Sequence, residues 1–380
     1  MPTEATARPV GHVQADSIDA LKGAACTLIV WHHLAAYGPM SDVVQLSAPG
    51  VIGWLYDRAR LAVQVFLVVG GFLSVGALSR YQERSAHQSP RLFRQMLQQI
   101  LQRFSRLAPA YWVALAVSVA VSAVVRPWFD HPSVPEAPTW LQVAAHVLLL
   151  HDVLGHSALS AGIWYVAIDL QLYALAALVM LAGGWTQRLG SSTATARRVA
   201  MATTWVLVAL SLLVFNRQAG LDITALYFFG AYGLGMLAFW ATQQTASQER
   251  LLWVGLLTLT SLVALWVDFR PRIALALMVA LALVWLQRPA GAVPRAAFMQ
   301  AALAPVTWLG ERSYAIFLIH FPVCLLFNAV LAQAFPTQLG ANVLGMLAAF
   351  GMSVLAGTWL HRHVEVRVRR RPVAPVLASV

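Results

Sequence analysis

The sequence predicts an all-α fold, a polytopic transmembrane helical bundle of about ten spans with both termini in the cytoplasm. Three observations predict it. Of 380 residues, 59% are hydrophobic and 11% charged, against about 25% charged in an ordinary soluble domain. Apolar runs long enough for a spanning helix, about 20 residues at ~1.5 Å each, recur along the chain. The basic residues gather in alternate connections between those runs.

In chain order the predicted spans are 18–38, 60–80, 107–125, 161–184, 200–216, 221–242, 251–268, 272–287, 313–332 and 340–361. The first fifteen residues are polar and lack a cleavable signal pattern, so the run from Ile18 reads as a retained first span. The second span holds Gly70 and Gly71, small residues that suit close helix packing. The third opens near Pro109, a residue that fits the first turn of a helix. Trp140 to Leu150 is apolar but too short to cross, and is expected to lie at the interface or dip in and return. The spans 200–216 and 272–287 are the shortest. Pro322, in the ninth span, is expected to kink it and free the Leu318 carbonyl. The chain divides into a cytoplasmic segment 1–17, a ten-span membrane domain 18–361 and an Arg-rich cytoplasmic tail 362–380, with no soluble domain.

The net charge is +11 from 26 Lys and Arg, and Lys22 is the only lysine. With the amino terminus inside, the outer segments hold Arg58, Arg60, Arg126, Arg217, Arg270 and Arg272, and the inner segments hold all the others. That asymmetry favours an even number of spans, and it explains the charge better than nucleic-acid binding does. Cys26 and Cys324 lie in apolar runs and read as small core residues. Two cysteines make no disulfide framework, and the spacings of His131, His146, His151 and His156 match no zinc signature, so no metal is expected.

Polar residues inside spans are costly and need a reason. Lys22 and His33 are eleven residues apart, ~20° beyond three full turns, so they share one helix face ~16 Å apart along the axis. His33 either bonds a neighbouring helix or does chemistry. Arg103 and Arg106 share a face at the inner start of the third span, where they either anchor the helix or hold a multiply charged anion such as a nucleotide phosphate. The fourth span carries Trp164, Tyr165, Asp169, Gln171 and Tyr173. Asp169 and Gln171 point ~200° apart, so one straight helix cannot aim both at a single spot. A buried carboxylate at Asp169 wants a cation or a histidine. Tyr314 and a second mid-membrane histidine, His320, lie on the ninth span. His361 to Glu365 ends the tenth and reads as interfacial.

These residues resemble membrane-bound acyltransferase family 3, whose members O-acylate cell-surface glycans and other acceptors. The likeness runs from Ile18 to Glu365. Ile18 to Gly23 is similar to the family's Leu-Asp-Gly-Leu-Arg-Gly opening, with the essential His eleven residues after the Arg. That carries the Arg position onto Lys22 and the His onto His33. Phe66 to Phe72 resembles Phe-Phe-Val-Leu-Ser-Gly-Phe, with Gly70 in place of the Ser. Arg103, Arg106, Pro109, Tyr111 and Trp112 match a paired-Arg, Pro, Tyr-Trp motif. Trp164, Asp169, Gln171 and Tyr173 match Trp-Ser-Leu-Ser-Val-Glu-Glu-Gln-Phe-Tyr, with Asp169 in place of the first Glu. Ser313, Tyr314, His320 and Pro322 match Ser-Tyr-Ser-Ile-Tyr-Leu-Leu-His-Phe-Pro. Of a late Glu-Lys-Pro only Glu365 remains. Lys22 keeps the charge of an Arg but not its bidentate fork.

The resemblance implies an integral membrane O-acyltransferase of the bacterial inner membrane. It would move an acetyl or succinyl group from cytoplasmic acyl-CoA to a glycan hydroxyl. His33, Asp169 and Lys22 are the expected catalytic residues, and Arg103 and Arg106 the expected donor site. Trp164, Gln171, Tyr173, Tyr314 and His320 are expected to touch substrate. His33 would act as general base or carry the acyl group, and Asp169 would orient His33 or bind sugar hydroxyls. The expected partners are membrane lipid, acyl-CoA and the glycan acceptor, with a homodimer allowed and no nucleic acid. A glycan transporter or flippase is the main rival. A lipid-linked glycan polymerase is a weaker one, because the outer segment 126–160 is modest.

Overall fold

A computed structural model describes residues 10–85, 92–287 and 297–370, and every regular element among them is helical. The α-helices are α1 (Val10–Ala36), α2 (Pro39–Gln45), α3 (Pro49–Asp57), α4 (Val63–Ser85), α5 (Leu92–Val125), α6 (Trp140–Val147), α7 (Trp164–Arg188), α8 (Thr193–Leu213), α9 (Ala225–Thr242), α10 (Ser247–Val267), α11 (Pro271–Leu286), α12 (Ala297–Glu311), α13 (Ser313–Ala334), α14 (Leu339–Leu360) and α15 (Val366–Arg370). A π-helical turn, His361–Glu365, joins the last two. The outermost ends expected to be cytoplasmic (1–9 and 371–380) and two Arg-bearing connections (86–91 and 288–296) lie outside the described residues.

Among the described residues, eight helical stretches are long and apolar enough to cross a membrane. They correspond to every expected span except the first and the eighth. The eighth, α11, is apolar but 16 residues long, ~24 Å against a hydrocarbon core of about 30 Å. The first, α1, begins at Val10, eight residues before the expected boundary, and carries Asp16, Asp19 and Lys22 in its first half. The apolar rows of the other helices face outward: Leu259 and Trp266 on α10, and Leu344, Leu347 and Leu355 on α14, are exposed. Such rows are a liability in water and the expected surface in lipid.

Several boundaries differ from those the hydropathy predicts. α5 runs unbroken from Leu92 through Pro109, which sits inside the helix rather than in its first turn. α12 was not expected at all, since Pro305 and flanking arginines break the apolar run there. It packs along the first half of α1, where Gly23 backs onto the Val306 carbonyl and Gly310 onto the Asp19 carbonyl. A side chain at either glycine would collide with backbone. α12 therefore covers α1 with protein where its charged residues lie. Gly71 and Gly235 do the same between α4 and α9, each against a carbonyl of the other helix. Within the stretch expected as an Arg-rich cytoplasmic tail, the chain continues as helix from the π-helical turn to Arg370.

Buried polar bonds tie the helices together. Tyr232 donates to the Ser74 hydroxyl at 2.6 Å, and Trp205 donates to the Thr260 hydroxyl at 3.0 Å. Cys26 and Cys324 are free and buried in one apolar cluster.

Between α5 and α7 the chain packs back on α5, where Trp112 donates to the Val147 carbonyl at 3.0 Å and Ser118 to the Ser160 hydroxyl at 3.1 Å. α6 starts with a reciprocal capping box between Thr139 and Gln142. His146 donates from Nδ1 to the Gln142 carbonyl at 2.7 Å and accepts the Leu159 amide at 3.2 Å, so it is folded neutral. His151 stacks on it at 4.1 Å. Burial first, then the neighbouring histidines, push both down to about 4. The unfolded chain binds these protons near 6.5, so this stability is complete above that pH and is lost as pH falls from 6.5 toward 4. Thermal unfolding of the purified protein should drop by several degrees over that interval. In His151→Phe the drop should shrink. An unchanged midpoint from pH 7 to 4.5 would contradict the neutral assignment.

Candidate active site

α1 and α13 cross so that His33 and His320 meet. Their rings stack with centroids 4.7 Å apart and planes 7° from parallel, and His33 Nδ1 bonds His320 Nε2. The direction of that bond follows from the next one. His320 Nδ1 lies 2.6 Å from the Phe317 carbonyl, which can only accept. The His320 Nδ1 therefore carries the hydrogen, and in the neutral ring Nε2 has the lone pair. His33 Nδ1–H must donate to it. The His33 Nε2 is left with a free lone pair, as a general base or a nucleophile requires.

The space next to His33 depends on Gly162, just before α7. Its φ of +80° is a left-handed conformation, and a Cβ there would crowd both the Phe317 ring and His33 Cε1. His33 lines a first cavity of about 590 Å³, together with His32, Tyr37, Gln64 and Trp164. Trp164 stacks on Phe228, which also lines this cavity. Arg58, Arg60, Arg270 and Arg272 also line it, with Asp57.

A second cavity, of about 450 Å³, is lined by Lys22, Arg103, Arg106, Asp169, Tyr314 and Glu365, among others. Lys22 pairs with Asp19 at 2.6 Å. Arg103 donates to Asp169 Oδ2 from Nη2 at 2.6 Å and from Nε at 3.2 Å, and its guanidinium lies over the Tyr173 ring. Tyr314 donates to the Leu107 carbonyl at 2.9 Å. Phe317 lines both cavities, so they meet at this residue. It packs against Tyr165 and Phe66 at 5.6 and 6.3 Å.

The residues expected to act together are thus divided. His33 and Trp164 face the first cavity. Lys22, Arg103, Arg106, Asp169 and Tyr314 face the second. Asp169 does not orient His33, because Arg103 takes its carboxylate and His320 supplies the contact to His33. Lys22 shares a helix face with His33 but belongs to the other chamber. His320, expected at the substrate, is fully buried with both ring nitrogens engaged. Gln171 is also drawn away, since its carbonyl accepts the Ala225 amide at 3.0 Å at the start of α9. Tyr173 is buried beneath Arg103. Glu365, which read as interfacial, is 5% exposed, accepts from His361 at 2.8 Å and lines the second cavity. Its spacing of four from His361 was the available signal. Phe317 and the four arginines of the first cavity carried none beyond their positions. Among the described residues no group of three or more His, Cys, Asp or Glu side chains is arranged to hold a metal.

Comparison with known proteins adds one match. The acyltransferase domain of membrane-bound acyltransferase family 3 matches residues 15–362. No curated protein and no solved structure matches the chain.

Proposed function

The chain belongs to membrane-bound acyltransferase family 3 and is an acyltransferase, and from that premise we propose how its two cavities divide the reaction. The second cavity takes a cytoplasmic acyl-CoA, acetyl-CoA or succinyl-CoA. The first takes a glycan hydroxyl presented from the far side of a bacterial inner membrane. The concentration of basic residues in alternate connections supports this orientation.

Lys22, Arg103 and Arg106 bring three positive charges to the second cavity against Asp169 and Glu365. Asp169 holds Arg103 by one edge, which leaves its other N–H groups for a donor phosphate. The acyl-bearing arm of the donor reaches past Phe317. In the first cavity His33 Nε2 takes the proton from the acceptor hydroxyl as its oxygen attacks the thioester carbonyl. The C–S bond breaks, and the imidazolium returns the proton to the departing thiolate. His320 and the Phe317 carbonyl keep His33 in the tautomer that can do this.

The observation that carries this reading is the His33–His320–Phe317 relay beside a cavity that meets a second, basic cavity at Phe317. Purified protein given labelled acyl-CoA and glycan should produce labelled glycan ester. Movement of unmodified glycan across a vesicle without ester formation would support the transport reading instead.

A further inference from the structure

We propose that the first cavity selects an acceptor bearing an anionic group, a carboxylate or a phosphate, which Arg58, Arg60, Arg270 and Arg272 bind while His33 faces the hydroxyl. The inference rests on the reading of that cavity as the acceptor chamber.

The distribution of charge points to it. The segments on the His33 end of the bundle hold six of the chain's 26 basic residues, and four of those six line one cavity. The other two are otherwise engaged. Arg126 donates to the Pro135 carbonyl at 2.9 Å, and Arg217 lies 3.9 Å from Asp268. Positive charge on this face is not needed for topology, and its concentration at one cavity calls for another cause.

The anchoring of these groups is equally specific. Arg270 donates to the Leu212 and Asn216 carbonyls at 2.8 and 3.0 Å, and to the Asn216 side chain. Arg272 donates to the Asn216 carbonyl at 3.0 Å and to the Tyr227 hydroxyl at 2.6 Å, and stacks over the Tyr227 ring. These partners are neutral: they fix the guanidinium planes without cancelling their charge. Arg270 alone reaches a carboxylate, Asp268 at 3.3 Å, which it shares with Arg217. Among the described residues, Arg58, Arg60 and Arg272 have no carboxylate within ion-pair distance, and Asp57 is the one acid lining the cavity. Arg270 and Arg272 are half-buried and oriented, and Arg272 has no carboxylate partner among the described residues; such a guanidinium pair matches the planar, two-oxygen face of a carboxylate or phosphate.

The test uses the full chain in lipid nanodiscs and three disaccharides: cellobiose, cellobiouronate and cellobiose 6-phosphate. Equilibrium dialysis should show at least one acidic sugar binding roughly tenfold or more tighter than cellobiose. The tighter of the two identifies the source of the anion. The preference should shrink in about 0.5 M KCl. It should also fall severalfold in the double variant Arg58→Gln/Arg60→Gln, whose side chains are exposed and outside the Asn216 network. Arg272→Lys, which keeps charge and loses the fork, should lose part of it. His33→Ala should keep it, so loss of the base and loss of anion recognition are read separately. Three sugars binding alike or not at all, a preference that survives the arginine substitutions, or displacement of the acidic sugar by coenzyme A would each overturn the inference.

Discussion

His33→Ala should lower acyl transfer by ~10²–10⁴-fold, the usual contribution of a positioned general base. The expectation comes from the tautomer chain. His33 Nδ1 is committed to His320, His320 Nδ1 to Phe317, and the ring that keeps the remaining lone pair lines the first cavity. Alanine removes that lone pair and leaves His320 Nε2 without its donor. It also opens space beside Gly162, so the control is a thermal unfolding midpoint in the same detergent. With equal protein in the membrane and a midpoint within a few degrees, the measurement is ester formed per unit time. Activity equal to the parent would end the catalytic role of His33.

The second large effect concerns a residue that touches no substrate. His320→Phe should lower transfer by a comparable ~10²-fold or more, because His33 then has no partner to hold its hydrogen on Nδ1. His320→Gln should retain much more of it. The Gln amide oxygen can accept from His33 Nδ1–H while its NH₂ donates to the Phe317 carbonyl, which repeats both bonds. A purely structural role predicts the reverse, since Phe fills the stacked position better than Gln does. The effect should fall on kcat and leave the KM for acyl-CoA nearly unchanged, because His320 lines neither cavity. Equal losses in Phe and Gln, or a loss confined to KM, would remove His320 from the relay.

The helices themselves were legible because the bilayer imposes their length and apolarity on the sequence. The shared face of Lys22 and His33 followed from helical period alone. So did the divergence of Asp169 and Gln171, which the structure sends to α5 and α9. What periodicity does not contain is which helix crosses which. The contact between His33 and His320 joins residues 287 apart in sequence, and the Arg103–Asp169 pair joins residues 66 apart. Both depend on the packing of α1, α5, α7 and α13. The two chambers meet at Phe317, an apolar residue in an apolar run. α12 was hidden because its role is to cover α1, not to cross lipid. The arginines of the first cavity read as exceptions to a topology rule, and only their convergence on one cavity gives them a second meaning.

Reconstitution into sealed, oriented vesicles tests the division of labour most directly. Labelled acyl-CoA is supplied to one face and glycan to the other, and ester is counted only on the glycan's side. Labelled ester should form when the donor is on the Lys22 and Arg103 face and the glycan is on the His33 face. It should fail in the reverse arrangement, and unlabelled glycan should not cross. Ester formation only when both substrates share one face would contradict transfer past Phe317, and with it the two-chamber account.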